Sequence, residues 1–391
     1  MKITVPTIDF GTSKIVTMVA QSNGERCDIV GSGAVPYSGY LQDGWNNPDE
    51  IRDVIRTAID QAQKTGNCRI HELNVGVPGM FTRVIVKEVH VSLTGPDPHV
   101  TAQDVRACFK LAEESGGDRI IHSAPAWFRV DDGKKTLSPV GIKGRELSAM
   151  IALVTADKYF IDDITYRLRD MDIEPREFYS TVAGEATYAL SQDERDKTAM
   201  LIDIGYLCTD VMVMEGDALI FHKCLDIGGG HISADIAEQL NIPFPFVEEK
   251  IKQTYSFNST NQDETYVIPA TEDEPARTVR RDEVTPIIEA KVEEIAEAIN
   301  KAPEEGGVKL GKWSNVYLTG GGLILNKGGK DFLAGKLHRI IREAQRTNNK
   351  MTSHVFSSAV GLTILVVTTQ EEQKAPEGGA KGLFSRAFRW L

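Results

Sequence analysis

Twice along this chain an apolar, alternating segment runs into an acid-x-glycine turn and doubles back: at Asp9-Phe10-Gly11 and again at Asp203-Ile204-Gly205. Strand-like runs follow each turn, at 15–21 and 27–35 after the first and at 209–215 and 218–224 after the second. A duplicated strand–Asp-x-Gly–strand unit predicts two related lobes facing one cleft. Late in the chain, Val316-Tyr317-Leu318-Thr319 reads as a further strand, ending in Gly320-Gly321-Gly322.

These turns suit a nucleotide. Glycine lets backbone amides approach a phosphate closely, and the hydroxyls of Thr12, Ser13 and Thr209 add donors. Asp9 and Asp203, at the ends of facing strands, are placed to hold Mg²⁺ through water, since that ion keeps much of its hydration shell. The triplet Gly320, Gly321 and Gly322 allows a flat adenosine to lie on backbone.

Between the two hairpins, Asn47-Pro48-Asp49-Glu50 opens a helix over 48–66, with a cap, an N1 proline and first-turn acids. A strand is expected at 72–78. A compact α+β insert follows: strands at 81–93, 119–131 and 146–155, and a helix capped by Thr101. Beyond the second hairpin, 231–310 reads as mainly helical with a polar interruption at 256–282. Residues 370–380 read as a flexible linker.

Of 391 residues, 41% are hydrophobic and 26% charged, which fits a soluble globular chain of two or three domains. The net charge of −12 argues against nucleic acid as a partner. The five cysteines are scattered with no CxxC pair and read as reduced thiols. No signal core or membrane-spanning run occurs, so a cytoplasmic location is expected.

The last eleven residues contradict the acidic whole. On a helical wheel Leu383, Phe384, Ala387, Phe388, Trp390 and Leu391 share one side, with Lys381, Ser385, Arg386 and Arg389 on the other and no acid among them. Such a basic amphipathic segment is expected to lie in an anionic phospholipid interface through Leu383, Phe384, Arg386, Phe388, Arg389, Trp390 and Leu391. One copy binds weakly, at roughly 1 kcal/mol per cation plus the apolar face, and an array multiplies it.

In the order of these elements the chain resembles the actin/Hsp70/sugar-kinase superfamily, and within it the FtsA family. Asp9-Phe10-Gly11-Thr12-Ser13-Lys14-Ile15 is similar to the family's first phosphate loop, and Leu318-Thr319-Gly320-Gly321-Gly322 to its adenosine loop. The run from Asp226 through Gly228-Gly229-Gly230 to Ala237 resembles the segment after its second hairpin, and Ser357 to Leu362 its last helix. Thr101 to Val130 and Ser138 to Leu147 resemble its inserted 1C subdomain.

The resemblance implies an α/β, bilobed actin-like (ribonuclease-H-like) fold of duplicated domains with an inserted α+β 1C subdomain. Its parts would be 1A (1–79 and 157–198), 1C (80–156), 2A (199–231 and 312–358), 2B (232–311), a return to 1A (359–369), the linker (370–380) and a membrane-targeting helix (381–391). It further implies ATP with Mg²⁺ bound by Asp9, Gly11, Thr12, Ser13, Lys14, Asp203, Gly205, Thr209, Gly320, Gly321 and Gly322. Glu249 and Lys252, three apart on one helix face, border the nucleotide base in the family, or else form a solvated ion pair.

The implied partners are the C-terminal peptide of FtsZ, further copies in a head-to-tail polymer, the inner membrane leaflet, and later divisome proteins through 1C. Lys291 and Glu294 match the family's peptide-binding helix, with Arg280 and Arg281 just upstream. On bare sequence, 283–300, rich in Glu and Lys at i,i+4 spacing, reads as a solvated helix face, and only the resemblance singles these residues out. The location implied is peripheral, at the division septum.

The chain departs from the family at its second phosphate loop, where Tyr206-Leu207-Cys208 stand in place of Gly-Gly-Thr and the side chains at 206 and 207 would crowd the phosphate amides. Thr181 stands where an acid is common, and Glu185, one turn on, is a poor substitute. Nucleotide binding with weak or absent hydrolysis is therefore expected. A pseudo-actin adaptor without turnover and a kinase-like ATPase of the same superfamily are the alternatives. A kinase needs a carboxylate base that the sequence does not supply.

Overall fold

The computed structural model describes residues 3–117, 119–261, 263–270, 275–311, 314–344 and 353–373. The basic amphipathic segment, with all seven candidate membrane residues, lies outside the described residues. The chain divides into two compact units: Met1–Leu201, Met212–His222 and Gln345–Leu391 form one, Ile202–Val211 and Lys223–Ala344 the other.

The first unit begins with β1 (Ile3–Phe10), β2 (Lys14–Ser22) and β3 (Cys27–Pro36), then a short ribbon, β4 (Tyr40–Leu41) and β5 (Gly44–Trp45). Helix α1 (Ile51–Gly66) and β6 (Glu72–Val77) follow. The insert comprises β7 (Thr82–Ser92), α2 (Ala102–Glu114), β8 (Ile120–Val130) and β9 (Glu146–Ala156). After it come α3 (Lys158–Arg169), β10 (Glu174–Ser180), α4 (Thr181–Ala189) and α5 (Gln192–Arg195).

The main sheet has the order β10-β6-β1-β2-β3. Its first three strands in sequence are antiparallel neighbours, while β1, β6 and β10 run parallel. Helix α1 covers this sheet with Ile51, Val54, Ile55, Ala58, Ile59 and Ala62, one apolar stripe at three-to-four spacing. It starts three residues later than Pro48 suggested. Glu50 is the N-cap, but its carboxylate accepts the Ser38 N–H instead of capping the helix, and 48–50 form a turn.

In the insert, β9 lies between β7 and β8 in an antiparallel sheet. Helix α2 seats Val105, Cys108 and Ala112 against Phe128, Leu147, Ile151 and Leu153. Thr101 and Asp104 form a reciprocal capping box at its start.

The second sheet is built from β11 (Ala199–Ile204), β12 (Thr209–Glu215), β13 (Ala218–Leu225), β16 (Asn315–Thr319) and β17 (Ile341–Glu343), in the order β13-β12-β11-β16-β17. Around it lie α6 (Gly229–Leu240), α7 (Phe244–Phe246), a π-helical turn (Val247–Lys252), β14 (Thr265–Ile268), β15 (Arg277–Arg280), α8 (Arg281–Glu305) and α9 (Gly329–Leu337). Strand for strand this order repeats β3-β2-β1-β6-β10, so the duplicated hairpin belongs to a duplicated sheet. The interruption expected at 256–282 contains the β14–β15 hairpin rather than bare loop.

Helix α10 (Ser357–Gln373) returns to the first unit. It crosses α4 where both helices lack a side chain: a Cβ on Gly361 would lie 2.5 Å from the Glu185 Cα, and one on Gly184 2.9 Å from the Gly361 carbonyl carbon. The helix runs on through Gln373, so 370–373 are helical where composition suggested a linker. Among the described residues no helix is long and apolar enough to cross a membrane.

Candidate nucleotide-binding loops

In the first unit, Asp9 is the penultimate residue of β1, and its side chain is buried at the head of the sheet. Ser358, in the first turn of α10, donates to its Oδ1 at 3.1 Å. Burial nevertheless dominates and raises the carboxyl pKa to about 6, against the lowering effects of Ser358 and Lys14. A buried anion so poorly compensated suits a cation. The turn itself is tight, with the Gly11 N–H bonded to the Lys14 carbonyl at 3.1 Å. Tyr37 holds it from the side by donating to the Gly11 carbonyl at 2.7 Å. Thr12 is buried, Ser13 and Lys14 are half-buried, and the Lys14 ammonium sits 5.3 Å from the centre of the Phe356 ring.

The second turn, in the second unit, is held differently. The Gly205 N–H donates to the Cys208 carbonyl at 2.9 Å and closes the loop. The first amides of α6, Gly229 and Gly230, donate to the carbonyls of Gly205 and Tyr206 at 2.9 and 2.7 Å. Helix-start amides that could face an anion are thereby spent on the loop backbone. Thr209 is fully buried and gives its hydroxyl to the Ile227 carbonyl at 2.7 Å, so it fastens β12 to the start of α6 instead of offering a donor to phosphate.

The adenosine-loop glycines serve this junction too. Gly320 has φ +88°, and a Cβ there would fall 2.0 Å from the half-buried Asp203 Oδ1 and 2.3 Å from the Ile204 carbonyl oxygen. A Cβ on Gly322 would meet the Gly205 carbonyl oxygen at 2.3 Å. Both residues are buried, and Gly321 is the half-buried member that keeps accessible backbone.

Glu249 and Lys252 do not share a face. The segment carrying them is π-helical, and its wider winding pairs residues four apart rather than three. Lys252 is buried and pairs with Glu248 at 3.3 Å, while Glu249 is exposed. Desolvation lowers the Lys252 pKa against the pull of Glu248. Its ammonium lies 5.6 Å from the centre of the Tyr206 ring. A Cβ on Gly230 would touch that ring at 3.0 Å, so Tyr206 lies along the start of α6. Burial, with Glu248 adding to it, pushes the Tyr206 phenol up to about 12.

Neither Thr181, which stands where an acid is common, nor Glu185, the substitute weighed as a base, is placed for the task. Thr181 is buried and donates to the Val77 carbonyl at 3.1 Å, and Glu185 is buried where α4 meets α10.

The partner residues separate by burial. Arg281 is buried, pairs with Glu264 at 2.8 Å, donates to the Ser256 carbonyl at 2.6 Å and lies over Tyr255. It fastens the β14–β15 region to α8 and does not reach the surface as expected. Lys291 is only 14% exposed and is held by both Asp235 at 3.0 Å and Glu294 at 2.6 Å. Arg280 and Glu294 are exposed, and Arg280 pairs with Asp282.

Sequence reasoning did not single out Ser358, Glu248, or the cluster of Cys208, Asp210 and Cys224 as site residues. The first two are ordinary polar residues on helices. The cysteines are drawn together only by strand pairing, across a spacing that carries no motif.

Two family profiles match the chain: "Cell division protein FtsA" over residues 200–361 and "SHS2 domain inserted in FTSA" over residues 79–155. The cell division protein FtsA of Pseudomonas aeruginosa is 24% identical over 376 residues, covering 93% of this chain and 89% of that protein. Among solved structures, a PilM–PilN type IV pilus biogenesis complex is similar with a TM-score of 0.61 at 16% identity, covering 93% of this chain and 98% of that one. MreB5 of Spiroplasma citri, bound to ADP, gives 0.55 at 11% identity, with coverage of 95% and 99%. These structural likenesses concern the fold, which is the duplicated actin-like one.

Proposed function

The chain belongs to the FtsA family of cell-division proteins, and from that premise we propose that it is a nucleotide-binding adaptor tethering FtsZ filaments to the cytoplasmic face of the membrane at the division septum. The observation that carries this reading is the family match on both the insert and 200–361, in a chain whose two sheets repeat one strand order.

The nucleotide is ATP with Mg²⁺. The similarity to an MreB5 bound to ADP supports an adenine nucleotide. Asp9 and Asp203 would hold the ion through water, and the turn at Gly11 to Lys14, Gly205 and the backbone at Gly321 would receive the nucleotide. The bound ion supplies positive charge against the phosphates. The chain's own contribution is to bury Asp9 beside Ser358 and to hold both turns closed. Turnover is weak or absent, because Thr181 and Glu185 are committed inside the first unit and Tyr206 lies along the start of α6.

The FtsZ C-terminal peptide binds at the surface bearing Arg280, Lys291 and Glu294, where the exposed Arg280 and Glu294 are met first. Lys291 engages only as its hold on Asp235 and Glu294 loosens. Further copies join head to tail, since a heterologous contact that does not close produces filaments. The basic tail supplies the membrane contact, and later divisome proteins bind the insert.

Co-sedimentation of FtsZ with anionic phospholipid vesicles tests the whole chain of contacts. FtsZ is expected in the vesicle pellet only when this protein is present. Deleting 382–391 should reduce its recovery to the level seen without the protein. Recovery that is independent of the tail would refute the tethering role.

A further inference from the structure

Three metal-ligating side chains meet beside the second turn. Asp210 lies at the start of β12, Cys208 immediately precedes that strand, and Cys224 lies on the neighbouring strand β13. One ligand atom from each, the two sulfurs and a carboxylate oxygen, lie within 4.8 Å of one another. All three residues belong to the second unit. Cys208 is buried, whereas Asp210 and Cys224 are half-buried, which leaves an approach for an ion. The cysteines are thiols, with no disulfide between them. The Cys224 thiol is hydrogen-bonded to both Cys208 and Asp210, and these contacts together with burial hold its pKa well above that of an ordinary thiol.

We propose that Cys208, Asp210 and Cys224 form a binding site for a thiophilic divalent cation, of which Zn²⁺ is the best fit, with one coordination position left for water or an incoming group. A tetrahedral ion with Zn–S bonds of about 2.3 Å sets its two sulfurs roughly 3.8 Å apart. The ligand atoms already lie within 4.8 Å, so side-chain rotations of about 1 Å complete the arrangement.

Charge favours the exchange. Two thiols and one carboxylate carry −1, and replacing two thiol protons by one divalent ion leaves −1, with two protons released to solvent. No new net charge is therefore placed in a partly buried site. Two sulfur donors select against Mg²⁺, which prefers oxygen, so this ion is distinct from the one expected at Asp9 and Asp203. The Cys208 carbonyl is also the acceptor that closes the second turn onto Gly205. Ligation at Cys208 thus pins the exit of that turn.

The test is a Zn²⁺ titration of the full-length, reduced protein without nucleotide, against a chromophoric chelator, alongside a Co²⁺ titration read by absorption. We expect about one equivalent of Zn²⁺ bound with a Kd below about 1 µM, and a thiolate-to-cobalt charge-transfer band. Cys224→Ser should weaken Zn²⁺ binding by about 100-fold or more and remove most of that band, and Asp210→Asn should weaken binding by about 10-fold. Cys27→Ser, away from the cluster, should bind as the unaltered protein does. Circular dichroism identifies any variant that fails to fold, and the comparison then uses the other cluster variant. Stoichiometry below about 0.2 equivalents in the unaltered protein, or full binding retained by the folded cluster variants, overturns the assignment.

Discussion

Replacing Asp9 by asparagine is expected to stabilise the nucleotide-free protein at pH 7.5 by about 3 kcal/mol, while removing its response to Mg²⁺ and ATP. The folded state holds this carboxyl at about 6 against 3.8 for an unperturbed aspartate, chiefly through desolvation. The folded state therefore binds the proton more tightly than the unfolded one. Below about pH 4 both states are protonated and Asp9 is neutral in its effect. As pH rises from about 4 to 6 the folded state must ionise a buried acid, and stability falls. Above about 6 the whole penalty is present. Asparagine keeps the shape, can still accept from Ser358, and has no charge to bury.

Denaturant unfolding of both proteins between about pH 4 and 8 measures the difference directly: it should open through that window and level off above it. A bound cation offsets the same penalty, so Mg²⁺ with ATP should raise the unfolding midpoint of the unaltered protein far more than that of the variant. An Asp9→Asn protein less stable than the original at pH 7.5, or one equally stabilised by Mg²⁺ and ATP, would count against both the buried-charge argument and the cation site.

How much of this is legible in the sequence depends on how local the cause is. The two Asp-x-Gly hairpins and the helix cap at Thr101 are written in consecutive residues, and they appear where they are expected. The duplicated sheet follows from the hairpins because a repeated unit pairs its strands in a repeated way. Strand β10 carries no such signal: Glu174 to Ser180 is Glu-Pro-Arg-Glu-Phe-Tyr-Ser, a polar strand that among the described residues ends the sheet beside β6.

Burial is equally hard to read. Arg281 and Arg280 look alike in sequence, yet one is enclosed by Glu264, Ser256 and Tyr255 and the other is exposed. Thr209 sits where a phosphate-facing hydroxyl is expected, but Ile227, eighteen residues on, captures it. The shared face expected of Glu249 and Lys252 fails through helix type, since an α-helical spacing does not hold in a π-helical turn. In each case the deciding neighbour is distant in sequence or the winding is one that residue patterns do not announce.

Arg195→Met is expected to cost the protein about 3–5 kcal/mol, because it strands a carboxylate inside the first unit. Arg195 is fully buried on the short helix α5. Its guanidinium donates to the carbonyls of Thr187, Leu190 and Gly216 and to the Gln192 side chain, and pairs with Asp217 at 3.2 Å. It therefore ties the end of α4 to the Gly216-Asp217 turn at the tip of the β12–β13 hairpin. Methionine restores much of the volume and none of the guanidinium's donors.

Asp217 is then left only 15% exposed with its principal counter-charge gone. Desolvation already raises its pKa against the lowering effect of Arg195, so without the arginine it must rise further or the fold must open. A second substitution separates charge from packing. Adding Asp217→Asn to Arg195→Met should recover a substantial part of the loss, since the stranded charge is gone while the missing carbonyl donors are not. Urea unfolding of the two single variants and the double variant provides the cycle. A loss under about 1 kcal/mol for Arg195→Met, or strictly additive effects of the two changes, would show that the pair is not coupled and that the hairpin tip is held by its backbone bonds, such as the one from the Gly216 N–H to the Arg195 carbonyl, alone.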